Sequence, residues 1–296
     1  SVGGEQAIKM MSDTGINTVR AYNAPEKDLL DALAKYNIKA IIGFPNYDDR
    51  RNPGADIRGA GYIDYVNKYK DHPAVLAWEV GNEYNHLFRE HPEYLSLSEW
   101  WPILKQATSE IKSIDANHPV STTLADRSLS EDVPQTVNAG VDIIGLNSYR
   151  GEDYSSAVVD LKKLAPGIAM YFSEGGVDSW NQGREDQPLQ AETTVNIWNS
   201  IKDKETLGVT FMSWQDEWWK AGEGSLSTHD IGGGSFDEVY FGFVDINHQP
   251  KEVLSAISKA WVGKEPVSIQ PGDSIREDVQ AYYKQSPYLG HLSRHL

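Results

Sequence analysis

The chain has 296 residues, of which 27 are Lys or Arg and 43 are Asp or Glu, so its formal net charge is −16. With 40% apolar residues the chain can bury a core, and its length allows one α/β barrel followed by a tail. An acidic surface repels phosphodiester backbones and anionic lipids, which disfavours nucleic-acid or membrane binding and favours a neutral or cationic ligand. The absence of Cys excludes disulfides, thiolate nucleophiles and Cys-ligated metals.

The chain alternates short apolar runs with amphipathic stretches, which predicts strands that alternate with helices. The predicted strands are residues 17–22, 38–45, 75–83, 119–126, 141–149, 169–175 and 208–214. The predicted helices are residues 5–12, 26–36, 62–71, 98–114, 156–164, 190–201 and 251–262. This repeated βα order favours an α/β fold of the TIM-type (β/α)8 barrel class, with a doubly wound open sheet as the alternative.

A closed barrel of this type has eight strands, whereas seven runs are present and the chain opens directly into a helix. We therefore expect the first strand to be missing, with residues 1–263 forming the barrel and residues 264–296 a C-terminal tail. The strands at 17–22 and 208–214 would then expose unpaired backbone groups, so we expect the natural protein to continue N-terminal to Ser1. Tail residues 267–269 or a second chain are the candidates for filling the gap.

Two predicted strands end in glutamate: Glu83 closes the run that begins at Val75, and Glu174 closes the run that begins at Ala169. Chemistry in βα barrels is located at the C-terminal ends of strands, so we expect the two carboxylates to face each other across the barrel mouth. Carboxyl groups about 5–5.5 Å apart allow one to attack a sugar's anomeric carbon while the other protonates the departing oxygen. The pattern is typical of retaining glycoside hydrolysis.

Each glutamate also has an ordinary structural interpretation. Glu83 could cap the following loop or pair with Arg89, and Glu174 could form a salt bridge with Arg20. Their joint occurrence, beside an asparagine in one case and a Gly-Gly pair in the other, favours the catalytic interpretation. Glycine removes side chains where a substrate ring must approach the backbone.

Four segments resemble the clan A glycoside hydrolases, which are retaining (β/α) barrels. They are GINTVRAYN at 15–23, WEVGNE at 78–83, GLNSY at 145–149 and YFSEGG at 171–176. The resemblance extends over residues 15–261 and looks nearest to the β-1,3-glucan hydrolases and glucanosyltransferases of that clan and their bacterial relatives. It implies an Asn-Glu acid/base after the fourth barrel strand and a Glu nucleophile after the seventh.

By this resemblance Glu83 is the general acid/base and Glu174 is the nucleophile. Asn82 would hydrogen-bond the sugar 2-hydroxyl. Arg20 would hold Glu174 ionised through its positive charge, and Tyr149 would donate a hydrogen bond to the same carboxylate.

Three further aromatic residues complete the candidate substrate-binding set. Tyr22 lies in the same motif as Arg20. Trp214 would form the floor under the sugar in the central subsite, because aromatic faces suit the apolar face of a pyranose. Trp218 continues the loop after Trp214, although a Trp beside another Trp can equally pack internally.

The sequence therefore predicts a retaining β-glycoside hydrolase acting on a glucan-like oligo- or polysaccharide, with β-1,3-glucan favoured. A transglycosylase on the same substrates and a non-catalytic carbohydrate-binding barrel are the alternatives. We expect no cofactor and no metal, because acidic pairs such as Asp48-Asp49 fit solvated loops and neither HExxH nor a phosphate-loop pattern occurs. The substrate class suggests an extracellular or periplasmic location.

Overall fold

The structure, a computed structural model, describes residues 2–44, 61–93, 95–181, 184–217 and 238–262. Six parallel strands form one sheet whose spatial order is their order in the chain. They are β1 (Thr18–Ala21), β2 (Lys39–Gly43), β3 (Val75–Asn82), β4 (Val120–Ala125), β5 (Ile143–Asn147) and β6 (Ala169–Glu174). A separate antiparallel pair, β7 (Trp180–Asn181) and β8 (Arg184–Glu185), follows β6 in the chain.

Helices connect these strands, as a parallel sheet requires. Those in the described residues are α1 (Val2–Asp13), α2 (Lys27–Lys35), α3 (Gly61–Tyr69), α4 (Tyr84–Glu90), α5 (Leu97–Ile114), α6 (Leu129–Asn138), α7 (Ser155–Leu164), α8 (Gln187–Ile201) and α9 (Glu252–Val262). The sequence patterns did not predict α4 or α6. The first is only seven residues long, and the second contains Pro134, which argues against a helix when only the sequence is read.

The predicted α/β fold class is confirmed: the strands form a six-stranded parallel half-barrel with helices on its outside. Strand β3 shows how the sequence builds two layers. Trp78 and Val80 are buried in the main apolar core, whereas Ala77 lies in a separate small cluster with Ile41. Successive strand residues point to opposite faces, so Glu79 lies on the same face as Ala77, inside the barrel. The large core therefore lies between the sheet and the helices, and the barrel interior carries polar groups.

The predicted seventh strand is shorter than expected. Val209 forms a parallel bridge with Phe172 of β6, and Met212 N–H donates to Gly175 O at 2.9 Å, so residues 207–212 run beside β6. From Ser213 onward the backbone bonds instead to residues 239–244, with Phe243 N–H donating to the Trp214 carbonyl at 2.9 Å. Because the chain changes partner at Ser213, the predicted strand 208–214 does not continue along the sheet.

The two edges of the sheet, β1 and residues 207–212, are connected on the outside by helices. Met10 of α1 packs against a cluster that includes Val253, Leu254 and Ile257 of α9. Among the described residues no backbone hydrogen bond joins β1 to residues 207–214. The tail, including residues 267–269, lies outside the described residues, so its proposed position in the gap stays a prediction. None of the described helices is both long enough and apolar enough to cross a bilayer.

Gly145 of β5 faces the crowded interior, which leads to a test of packing. A Cβ atom at this position would lie 2.5 Å from Thr123 Oγ1 and 2.8 Å from Ser173 Oγ. We predict that Gly145→Ala lowers the free energy of unfolding by about 1–3 kcal/mol in urea titrations, because the interior must shift to accept the methyl group. Gly167→Ala, where nothing lies within 4 Å, is the matched control, and equal losses in both variants would contradict the prediction.

Candidate active site

Glu174 is the last residue of β6 and its carboxylate has three side-chain donors. Arg20 Nη1 donates to Oε1 at 3.0 Å, the Tyr22 hydroxyl donates to the same oxygen at 2.5 Å, and the Tyr149 hydroxyl donates to Oε2 at 3.0 Å. Glu174 is only 8% exposed, so burial removes most of the water around its carboxylate. The three donors replace the hydrogen bonds that this water would have made. The structure thus brings together four residues that the sequence analysis selected.

Tyr149 shows that an exposed residue can still contribute a buried polar group. The residue is 40% exposed, yet its hydroxyl points inward to Glu174 and also contacts Met212 Sδ at 3.2 Å. Burial of this hydroxyl, followed by the charge of Glu174, raises the pKa of Tyr149 well above its ordinary value. The phenol therefore stays protonated at neutral pH and remains a donor to Glu174.

Glu83 directly follows β3 and precedes α4. Its backbone is left-handed, with φ 56° and ψ 24°, a conformation that is uncommon for residues other than glycine and that recurs at functional sites. Burial, and then the negative charge of Glu174, raises the pKa of Glu83 to about 7, while Asn147, Arg20 and Arg127 act in the opposite direction. A large share of Glu83 side chains is therefore protonated at neutral pH, unlike an ordinary surface glutamate.

Arg20, at the end of β1, is the centre of the interior network. Its guanidinium and Nε donate to the Oε1 atoms of Glu79 and Glu174, the Ser173 carbonyl, Asn82 Oδ1 and Thr123 Oγ1, at 2.7 to 3.3 Å. Five contacts match the five N–H groups of an arginine. Burial is the largest single influence and lowers the pKa of Arg20, but Glu79 and the other acidic groups around Arg20 together outweigh burial, so the pKa is raised.

Glu79 is the interior residue that the sequence analysis missed. It is 2% exposed, and its carboxylate accepts hydrogen bonds from Arg20 Nε at 2.7 Å, from Thr123 Oγ1 at 2.9 Å and from the Tyr171 hydroxyl. The available signal was a charged residue within an otherwise apolar strand, VLAWEVGN. A charge at such a position needs a buried partner of opposite sign, and Arg20 on β1 is that partner.

Asn82 has its amide oriented by two donors. Its Oδ1 accepts from Arg20 Nη2 at 2.7 Å and from Asn147 Nδ2 at 3.2 Å, and Asn147 is itself held by Ser173 Oγ at 2.8 Å. These hydrogen bonds orient the amide oxygen of Asn82 toward the barrel interior. Its Nδ2 has no hydrogen bond among the described residues. Asn82 can therefore donate to a ligand from that nitrogen.

The predicted tryptophans have a different outcome. Trp214 packs against the apolar cluster that contains Phe243 and Val253, and its indole nitrogen is buried without a hydrogen-bond partner among the described residues. Its role as the floor of a sugar subsite stays a prediction. Trp218 lies outside the described residues.

The three ordinary interpretations of the glutamates can be compared with the structure. Glu83 occupies the N-cap position of α4, but its side chain makes no capping hydrogen bond. Arg89 binds Asp132 at 2.7 Å and Glu131 at 2.9 Å, and these partners occupy its guanidinium, so pairing with Arg89 does not explain Glu83. The salt bridge between Glu174 and Arg20 is present, but it belongs to a network that also includes Glu79 and Asn82. A simple structural pair does not account for that convergence.

Comparison with protein-family models and with curated proteins finds no match. Solved structures do match. A Bacteroides uniformis β-glucuronidase is 18% identical with a TM-score of 0.68, covering 88% of this chain and 32% of that chain. A glycosyl hydrolase family 2 (GH2) member from Bacteroides cellulosilyticus DSM 14838 is 17% identical with a TM-score of 0.61, covering 88% and 29%. A GH2 β-galacturonidase from Eisenbergiella tayi, bound to galacturonate, is 15% identical with a TM-score of 0.64, covering 90% and 48%.

These comparisons establish similarity of fold. The chain spans less than half the length of each of the three proteins it is compared with, and its half-barrel matches the barrel domain of GH2 enzymes. The predicted resemblance to glycoside hydrolase barrels therefore holds at the level of the fold. Two of these names refer to a glucuronidase and a galacturonidase and none refers to β-1,3-glucan, so that finer specificity has no support from them.

The mutual influence of the two carboxylates leads to a titration experiment. We predict that Glu174→Gln lowers the pKa of Glu83 from about 7, because a repelling charge is removed, but leaves it above the ordinary glutamate value because burial remains. Carbon NMR of labelled glutamate carboxyl groups measures this directly. Glu131→Gln, an exposed position, is the control, and an unchanged Glu83 pKa in Glu174→Gln would show that the two carboxylates do not interact.

The Arg20–Glu79 pair leads to a stability prediction. Glu79→Gln leaves a buried guanidinium with one carboxylate fewer, so we predict a loss of about 3–5 kcal/mol in the free energy of unfolding. Glu131→Gln also removes a partner of an arginine, but Glu131 has a 75% exposed side chain, and the loss there is expected to stay below about 1 kcal/mol. Denaturant titration compares the two variants, and similar losses would contradict the assignment of Glu79 as the buried partner of Arg20.

Proposed function

We propose that this protein is a retaining β-glycoside hydrolase in which Glu174 is the nucleophile and Glu83 the general acid/base. The observation that carries the proposal is the contrast between the two carboxyl groups. Glu174 has three donors that suit a carboxylate, whereas Glu83 has a pKa raised to about 7 by burial and by the charge of Glu174. A pair of acids whose environments differ in this way is how one site supplies an acid and a nucleophile at the same pH.

In the first step Glu174 forms a bond to the anomeric carbon while the glycosidic bond breaks, and Glu83 gives its proton to the departing oxygen. Among the described residues Oε1 of Glu174 accepts two hydrogen bonds and Oε2 accepts one, from Tyr149, so Oε2 is the oxygen better placed to attack. In the second step Glu83, now ionised, takes a proton from water, whose oxygen attacks the anomeric carbon and releases Glu174.

Asn82 would position the sugar in this reaction. Its Oδ1 is occupied by Arg20 and Asn147, so its Nδ2 is the atom that would donate to the sugar 2-hydroxyl. Hydrogen bonds to this hydroxyl strengthen in the transition state of such enzymes and help to lower the barrier by on the order of several kcal/mol. The network around Arg20 thus supports both the nucleophile and the residue that orients the substrate.

The substrate we propose is a β-linked oligo- or polysaccharide, with β-1,3-glucan suggested by the sequence motifs. The matched solved structures include a β-glucuronidase and a β-galacturonidase, so β-uronides belong in the same panel. Product analysis on laminarin, lichenan, mannan, cellulose and 4-nitrophenyl β-glycosides tests hydrolysis. Products longer than the substrate would identify transglycosylation, and binding without any turnover would identify a carbohydrate-binding barrel.

Azide rescue tests the two roles on whichever substrate is turned over. We predict that Glu174→Ala and Glu83→Ala each lower turnover of natural glycosides by roughly 10³-fold, about 4 kcal/mol of barrier. With an activated leaving group, azide should rescue Glu83→Ala to give a β-glycosyl azide, because the glycosyl ester on Glu174 still forms. Azide should rescue Glu174→Ala to give the α-azide, because it replaces the nucleophile itself.

Glu131→Ala is the control for this experiment and should keep wild-type turnover. An α-azide from Glu83→Ala would mean an inverting mechanism. Wild-type turnover in Glu174→Ala would remove its assignment as the nucleophile.

A further inference from the structure

Arg127 lies in the turn that follows β4, next to the segment that carries Glu83. The Glu83 N–H donates to Thr123 O of β4 at 3.0 Å. Two residues further on, the buried amide of Asn85 donates to the Arg127 carbonyl at 3.3 Å, and its Oδ1 accepts from Ala125 N–H at 2.9 Å. These bonds fix the main chain of Arg127 beside the start of α4, whereas its side chain is exposed.

The carboxylates close to Arg127 in the sequence are bound to other arginines. Asp126 makes two contacts of 2.6 Å with Arg150. Glu131 and Asp132 both bind Arg89. Among the described residues the guanidinium of Arg127 therefore has neither an ion pair nor a hydrogen bond, although the chain carries a net charge of −16. An arginine left unpaired in so acidic a protein is available to an external anion.

The positive charge of Arg127 also influences two groups at the start of α4, in agreement with the position that these backbone bonds give the residue. Burial raises the pKa of Glu83, and Arg127 is one of the groups that oppose that shift. Burial, and then the charge of Arg127, lowers the pKa of the His86 imidazole, and the backbone N–H of His86 donates to the Glu83 carbonyl at 2.9 Å. The His86 imidazole is therefore neutral at neutral pH, and its Nδ1 lies 3.8 Å from Glu90 Oε1.

We propose that Arg127, with His86 beside it, binds an anionic substituent on the leaving-group half of the substrate, either a carboxylate or a sulfate ester. This proposal rests on the proposed function, because a general acid at Glu83 protonates the leaving group and so marks its side of the site. Guanidinium binds both kinds of anion through paired N–H donors. A neutral imidazole adds one donor without adding a charge that would repel Arg127.

This inference departs from the neutral or cationic ligand that the net charge favours. The net charge acts over the whole surface, whereas a bound anion is in direct contact with the Arg127 guanidinium. Exposed charges are screened over about 8 Å at physiological ionic strength, so carboxylates spread over the surface act weakly on a group held in contact with one guanidinium. An acidic surface slows the approach of an anion but does not prevent a paired contact at Arg127.

The test compares matched substrates that share one glycone and differ in the leaving sugar: glucose, glucuronic acid or glucose 6-sulfate. The proteins are wild type, Arg127→Gln, Arg127→Lys and Arg184→Gln, the last being another exposed arginine, on β8. We expect wild type to favour at least one anionic leaving sugar over glucose by about tenfold in kcat/KM, the size of one charge-assisted contact. That ratio should fall to about one in Arg127→Gln, be partly kept in Arg127→Lys, and be unchanged in Arg184→Gln.

The pattern of results separates the explanations. Preference for the glucuronic acid substrate identifies carboxylate recognition, and preference for the sulfated one identifies sulfate recognition. The same ratio in wild type and Arg127→Gln would overturn the proposal. So would an equal fall for every substrate together with a basic limb of the pH profile moved to higher pH, because Arg127 would then act only on Glu83.

A second readout does not require turnover. Nitrogen NMR follows the Arg127 Nε resonance, assigned by its loss in Arg127→Gln, during titration with glucuronate, glucose 6-sulfate and neutral glucose. We expect the anions to shift this resonance and glucose to leave it unchanged. If no substrate is turned over but the anions still bind, the proposed function is wrong and the anion site stands. If neither anion shifts the resonance, the anion site is wrong whatever the enzyme hydrolyses.

Discussion

The buried guanidinium of Arg20 links the two ends of the six-stranded sheet. Arg20 stands at the end of β1, and it donates to the Ser173 carbonyl and the Glu174 carboxylate of β6, which is five strands away in the sheet. Between them it binds Glu79 and Asn82 of β3. With its bond to Thr123 of β4, this one side chain connects four strands through the interior, whereas backbone hydrogen bonds connect only neighbouring strands. The relative positions of the site residues depend on this connection.

A buried ion pair of this kind fixes the arrangement of the side chains around it, but it adds little to the free energy of unfolding. Removing two charges from water costs several kcal/mol per ion in typical proteins, and the attraction between them returns this only when every donor and acceptor is satisfied. Here the satisfaction is thorough: Glu79 accepts from Arg20, Thr123 and Tyr171. The network therefore fixes one arrangement of the interior, since any other would leave a charge buried without a partner.

The sequence predicted the functional residues at the ends of the strands, but it did not predict the polar network in the barrel interior. Glu83 and Glu174 could be found because each ends an apolar run and the fold places such positions at one rim, whereas the roles of Arg20 and Asn82 were implied by the resemblance of their motifs to a known group. Glu79 could not be found from the same rule, because its partner on β1 is 59 positions away and only the strand order brings the two together. The end of the seventh strand could not be predicted from the sequence either. From Ser213 onward its backbone bonds to residues 241–243, which are distant in the chain.

The incomplete sheet and the well-ordered site are compatible for a geometric reason. The residues that contact Glu174 or orient Asn82 come from β1, β3, β5 and β6 and the segments that follow them, so the candidate chemistry needs no residue from a further strand between β1 and residues 207–212. Around that gap, α1 and α9 share an apolar cluster on the outside, and Arg20 reaches Glu174 on the inside. Side-chain contacts thus hold β1 and residues 207–212 in place across the gap, as backbone hydrogen bonds hold the other strands of the sheet. Among the described residues the outer edge of β1 has no backbone partner, and its hydrogen-bonding groups can pair with another strand without any change in the carboxylates.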